Sequence, residues 1–95
     1  MQIEHIKLSD LKNISGRLIH WLREVGVDSV ERLAEEDVFE LWKRMKRFHI
    51  NEVTLNDLWA LEGAVLNVEI EELPKVKKNE LERKAVEWMK LEFKK

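Results

Sequence analysis

Cysteine is absent from this 95-residue chain. That excludes disulfides, thiolate nucleophiles and cysteine-ligated zinc. Proline occurs once and glycine three times, so each of them carries positional meaning as punctuation between elements. No apolar run is long enough to cross a membrane, and the first residues lack the apolar centre of a signal peptide. An excess of positive charge is missing too. Seventeen basic residues face nineteen acidic ones, a net charge of −2, which argues against bulk electrostatic binding of nucleic acid. These absences predict a soluble, cytoplasmic protein with no membrane partner. The length fits one domain, 1–95, and an apolar content of 44% supports one core.

What is present is helical periodicity. The stretch Thr54 to Asn67 is the centre of the chain. Thr54 supplies an N-cap hydroxyl with Asp57 three residues later. Leu55, Leu58, Trp59, Leu61, Val65 and Leu66 then cover most of a helix circumference, which predicts a helix wrapped by others. Ala60, Gly63 and Ala64 leave room for a close neighbour. Before it, an N-terminal arm with Ile3, Ile6 and Leu8 leads to a short helix capped by Ser9 and carrying Leu11. A helix from about Arg17 to Val25 shows the stripe Leu18, Trp21, Leu22, Val25 and stops at Gly26. Asp28 or Ser29 caps the next, about Val30 to Ala34. Asp37 caps a fourth, to about Phe48, whose stripe is Val38, Leu41, Trp42, Met45 and Phe48. After Asn67 the run Val68 to Leu73 is short, Pro74 ends it or starts the next helix, and the last helix spans about Lys78 to Phe93. No strand pattern is long enough to build a sheet. The fold class is all-α: a small single-domain bundle of five to six helices.

Catalytic patterns are missing. His5, His20 and His49 are scattered, with no HExxH spacing. Ser9, Ser15 and Ser29 lack a nucleophile-elbow context, and no phosphate-binding loop or dinucleotide fingerprint occurs. The chain reads as non-enzymatic, without metal, cofactor or small-molecule substrate. Trp21, Trp42, Trp59 and Trp88 fall on or beside apolar stripes and read as core.

Two motifs point further. Leu11-Lys12-Asn13-Ile14-Ser15-Gly16-Arg17, then Leu22 to Val27 and Val30 to Leu33, resemble a helix-hairpin-helix unit. In that family the turn presents backbone N–H groups to a DNA phosphate, as free amides at a helix N-terminus can. The resemblance makes Lys12, Asn13, Ser15, Gly16 and Arg17 candidate phosphate contacts, with Asn13 and Ser15 standing where DNA-binding versions usually place glycine. The second motif is wider. Leu11 to Ile14, Leu22, Val25-Gly26-Val27, Leu33, Leu58-Trp59-Ala60-Leu61-Glu62-Gly63-Ala64, Glu72-Leu73-Pro74 and Leu81 resemble the C-terminal domain of TfoX (Sxy) competence regulators over about 8–81, leaving 82–95 as a helical extension. That resemblance implies a small all-helical domain with a helix-hairpin-helix-like half, and an association with transcription regulation.

Lys43, Arg44, Lys46 and Arg47 form a cationic helix face, a further candidate for phosphate or a solvated surface. Two functions stay open: a nucleic-acid-associated module, or a protein-interaction or homodimerisation module without DNA binding. Glu62 projects among Leu55, Leu58, Trp59 and Leu66. As a buried acid it must find a helix N-terminus or a basic partner from another element, the hairpin being the candidate. On the last helix, Leu81, Ala85, Trp88 and Met89 share one side, and Val86, Leu91 and Phe93 widen the apolar arc. Either that helix lies in a groove between the arm, with Ile3 and Ile6, and the central helix, or Trp88, Leu91 and Phe93 form a dimer contact. The dimer is the favoured of the two.

Overall fold

The structure, a computed structural model, describes residues 6–93. Five α-helices follow in order: α1 Gly16–Glu24, α2 Val30–Glu35, α3 Val38–Phe48, α4 Leu55–Leu66 and α5 Lys75–Glu92. Two 3-10 turns, Leu8–Asp10 and Ile70–Glu72, precede α1 and α5. No strand occurs among the described residues. The fold is all-α.

Local chemistry sets most boundaries. Ser15 Oγ accepts from the Leu18 amide at the start of α1, Ser29 Oγ from Arg32, and an Asp37 carboxylate oxygen from Glu40. Each satisfies an amide that the helix itself cannot. Gly26, at φ +92, reverses the chain after α1. Its amide donates to the Arg23 carbonyl, and the Val27 amide donates to Leu22, which closes the helix end. Asn67 does the same for α4 with φ 62, and Val68 donates back to the Gly63 carbonyl.

Two boundaries differ from the sequence reading. The first turn is a single 3-10 turn that ends before Leu11. Asp10 there takes the Lys7 amide, and Ser9 lies inside the turn rather than capping it. The last helix begins at Lys75, directly after Pro74. Proline lacks an N–H and its fixed φ suits a helix start. The strongly basic first turn, with Lys75, Lys77 and Lys78, hid this start from an apolar-stripe argument.

The central helix is wrapped over most of its length, but Val65 and Leu66 in its last turn, expected on the covered surface, are exposed at 45% and 51%. α4 buries Leu58, Ala60, Leu61, Gly63 and Ala64 against α3 on one side and α5 on the other. Leu41, Trp42 and Met45 of α3 are fully buried beside it. Trp42 donates its indole N–H to the Thr54 carbonyl, and Trp59 donates to Lys78. Each wholly buried apolar side chain here contributes roughly 1.5–3 kcal/mol relative to exposure.

α5 packs its inner stripe, Leu81 and Ala85, into this core. Trp88 meets Trp42 edge-on at 5.8 Å, and Phe93 meets Trp88 edge-on at 5.3 Å. Leu91 is 81% exposed. The side of α5 that carries Trp88 therefore rests on α3. Ile6 instead lines a groove with Leu11, Val30 and Val65, and Ile3 lies outside the described residues.

Candidate functional site

The turn between the first 3-10 turn and α1, together with the first two residues of α1, holds five of the candidate phosphate contacts. Asn13 sits in the left-handed region at φ 68, a conformation that asparagine tolerates better than most residues. Its side-chain amide does not face solvent. Nδ2 donates to the Val68 carbonyl, 2.9 Å away, just past the end of α4. Gly63 makes this approach possible. A methyl group built there would lie 2.5 Å from Asn13 Nδ2 and 2.7 Å from the Val68 carbonyl. The glycine of the ALEGA run thus serves the hairpin turn.

Ser15 caps α1 with its hydroxyl. Gly16 is exposed, and nothing lies within 4 Å of where its Cβ would be. Arg17 reaches across to α4, where its guanidinium lies 3.2 Å from Asp57 Oδ1 and 4.8 Å from the Trp21 ring centre. Lys12 faces Glu69 at 3.8 Å.

Asp57 is the buried acid of this fold, at 3% exposure. It also accepts from the Thr54 amide and hydroxyl. The Thr54–Asp57 spacing showed the cap, but not the burial. The buried carboxylate is also paired with Arg17, forty positions away, which supplies a countercharge that a desolvated carboxylate needs. Glu62 is only partly buried. Its cationic partner comes from another element, as expected, but it is Lys77 in the first turn of α5, at 3.6 Å, and not the hairpin.

The cationic face of α3 is paired throughout. Lys43 binds Glu40 and lies over the Phe39 and Trp88 rings. Arg44 binds Glu36 and donates to the Val25 carbonyl. Lys46 donates to the Val53 carbonyl. Burial lowers the pKa of that amine, against the opposing pull of Asp57. Arg47 binds Glu92 of α5 and covers the Trp88 ring. The Asn13–Arg17 turn and this face are linked through Asp57, which draws Arg17 directly and Lys46 through its field.

Sequence reading missed a cluster around His49. Its Nε2 lies 2.6 Å from Glu24 Oε1 and its Nδ1 3.2 Å from Glu52 Oε1. His20 Nε2 takes the other Glu24 oxygen at 3.2 Å, and the His49 ring stacks on Trp21. The hydrogen bond to Glu24 raises the His49 pKa, desolvation opposing it, and the same bond lowers that of Glu24. The local spacings His20–Glu24 and His49–Glu52, of four and three, are the signals that could have shown part of it.

Among the described residues, no group of three or more His, Asp or Glu is placed to hold a metal ion, and no helix is long and apolar enough to cross a membrane.

Comparison with known proteins agrees with this geometry. The family model described as the TfoX C-terminal domain matches residues 4–85. The crystal structure of an uncharacterized protein from Listeria monocytogenes, in a triclinic form, superposes with a TM-score of 0.75 at 31% identity. The superposition covers 81% of this chain and 86% of that one. No curated protein matches.

Proposed function

The chain belongs to the TfoX C-terminal domain family, and within it we propose a non-enzymatic module that engages protein rather than nucleic acid. One observation carries this reading. Each of the six cations that could meet phosphate already has a partner in its own chain: Lys12 with Glu69, Arg17 with Asp57, Lys43 with Glu40, Arg44 with Glu36, Lys46 with the Val53 carbonyl and Arg47 with Glu92. Exposed pairs of this kind are individually weak, so a phosphate could displace one. Their effect is on the field. A carboxylate beside five of the six, with Lys46 turned to a backbone carbonyl, leaves little net potential to draw a polyanion, and counterion release is the main source of non-specific affinity.

The surface that suits a protein partner is the groove between the first 3-10 turn, α2 and α4. Ile6, Leu11, Val30, Leu33 and Val65 line it, and Asp10 is its only charged lining residue among the described residues. Ile6 and Val65 are 48% and 45% exposed. Half-exposed aliphatic side chains around one depression are a common mark of an interaction site.

A second reading, association with nucleic acid in gene regulation, is favoured by Gly16. The open space around it leaves the first amides of α1 approachable, and the Arg17 side chain is 61% exposed.

An anisotropy titration with labelled duplex and single-stranded DNA over a range of salt separates the two. The expected result is no binding at low salt by a folded chain. Binding that falls steeply with salt and is weakened by Arg17→Ala would overturn the protein-partner reading and restore the second.

A further inference from the structure

We propose that His49 is a protonation-controlled latch that ties the C-terminal end of α1 to the connector between α3 and α4. The inference is independent of which partner the domain engages. It rests on the two ring nitrogens. Glu24 of α1 meets Nε2 at 2.6 Å, and Glu52 of the connector meets Nδ1 at 3.2 Å. An ionised carboxylate only accepts hydrogen bonds, and a neutral imidazole has one N–H and one lone pair. The neutral ring can therefore satisfy one of these carboxylates, and it turns its lone pair on the other. Only the imidazolium donates to both. The arrangement is that of the charged ring.

The surroundings favour that charge. From α1, Glu24 lies against the ring, with His20 on its second oxygen. From the connector, Glu52 lies against it. From α3, Arg44 stands off, bound to Glu36 and to the Val25 carbonyl at the end of α1. Trp21 supplies a ring face at 5.3 Å, inclined by 26°, which suits a cation.

His49 is also where the connector is anchored. Its amide donates to Met45, and its carbonyl accepts from Glu52 and Val53, of which Val53 is fully buried. When the ring loses a proton, Glu52 is the carboxylate that is released, because its contact is longer and its side chain is 67% exposed. Phe48 and Ile50 flank His49 in the chain and are themselves exposed. The protonation state of one ring thus sets how firmly an apolar edge of the molecule is held.

The test is an NMR titration of the intact protein, with His20→Gln used to assign the two rings. The expected His49 midpoint lies above the ordinary histidine value of 6.5, with both ring nitrogens protonated below it. The Glu52 and Val53 amide shifts should follow the same curve. Glu52→Gln should lower the midpoint, and Glu24→Gln should lower it further. A midpoint at or below 6.5, a ring held as one neutral tautomer at pH 6, or amide shifts that ignore the ring would overturn the latch. The decisive titration uses the unmutated chain, apart from the exposed His20.

Discussion

Asn13 and Gly63, fifty positions apart, occupy one shared space: the asparagine amide fills the volume that any side chain at 63 would take. The turn of the hairpin and the central helix are thereby fixed against each other. Asn13 adds a hydrogen bond to Val68, and Gly63 contributes by having no bulk.

Gly63→Ala is expected to destabilise the fold by about 1–3 kcal/mol, the usual cost of overpacking. The gain in helix propensity, roughly 1 kcal/mol, offsets only part of the clash with a backbone carbonyl that cannot swing aside. Asn13→Gly keeps the positive φ and loses the hydrogen bond, so a smaller loss of about 1 kcal/mol follows. Urea unfolding ranks the two. A Gly63→Ala protein as stable as the parent would mean that the turn and α4 do not touch as described.

Asp57→Ala should cost more than Arg17→Ala. The aspartate joins the cap of α4 to Arg17, and its loss leaves the Thr54 amide unsatisfied, at roughly 2 kcal/mol. Arg17 is mostly exposed, its pairing is screened by solvent, and Thr54 still serves the carboxylate, so about 1 kcal/mol is expected. Equal losses in thermal or urea unfolding would show that Arg17, not the cap, keeps Asp57 buried.

The pH dependence follows from two shifts of opposite sign. His49 is raised, so its contribution to stability is complete below 6.5 and is lost as pH rises through its folded value. Glu24 is lowered, so its contribution is complete above 4.5 and is lost as pH falls through its folded value. The stability difference between the parent and Glu24→Gln should therefore be greatest between pH 4.5 and 6.5 and shrink on both sides. Melting temperatures of the two proteins across pH 3–9 give the curve. A difference that keeps growing above pH 8 would contradict the assignment of the pair.

On α5, Trp88→Ala should destabilise the chain by about 2–3 kcal/mol, since Trp88 bridges Trp42 and Phe93 under Arg47. Leu91→Lys should change stability by no more than about 0.5 kcal/mol, because Leu91 touches little of its own chain. Sedimentation of both variants at micromolar concentration also tests Trp88, Leu91 and Phe93 as a dimer contact. If the parent self-associates and Leu91→Lys abolishes it, the dimer surface includes Leu91. If Leu91→Lys leaves self-association intact, the contact lies elsewhere.

Features that depend on three or four neighbouring residues were legible in the sequence. The caps Asp37 and Thr54, the cap at Asp28 or Ser29 that proves to be Ser29, the stop at Gly26 and the wide apolar arc of α4 are of this kind. So was the TfoX-like pattern, because the Gly63 run and the Gly26 stop each carry backbone geometry. What distant residues decide was not legible. Helical phase puts Asp57 on the polar side of α4 and Glu62 on the apolar side, yet Asp57, held by its own cap and by Arg17 from α1, is the deeper of the two. The cations from Lys43 to Arg47 look like a free face until Glu36 and Glu92 arrive from outside the helix. His49 appears isolated because Glu24 lies twenty-five positions before it.

The hairpin is stitched to α4 twice, by Arg17 to Asp57 near the start and by Asn13 to Val68 just past the end. Those stitches span forty and fifty-five positions of chain, so neither can form until long loops have closed. The hairpin turn and the central helix are therefore expected to open and close as one cooperative unit in amide hydrogen exchange. The last turn of α5, tethered at its rim by Arg47 and Glu92, frays separately and earlier. A domain built this way cannot loosen its turn to admit a ligand without also loosening the helix at its centre.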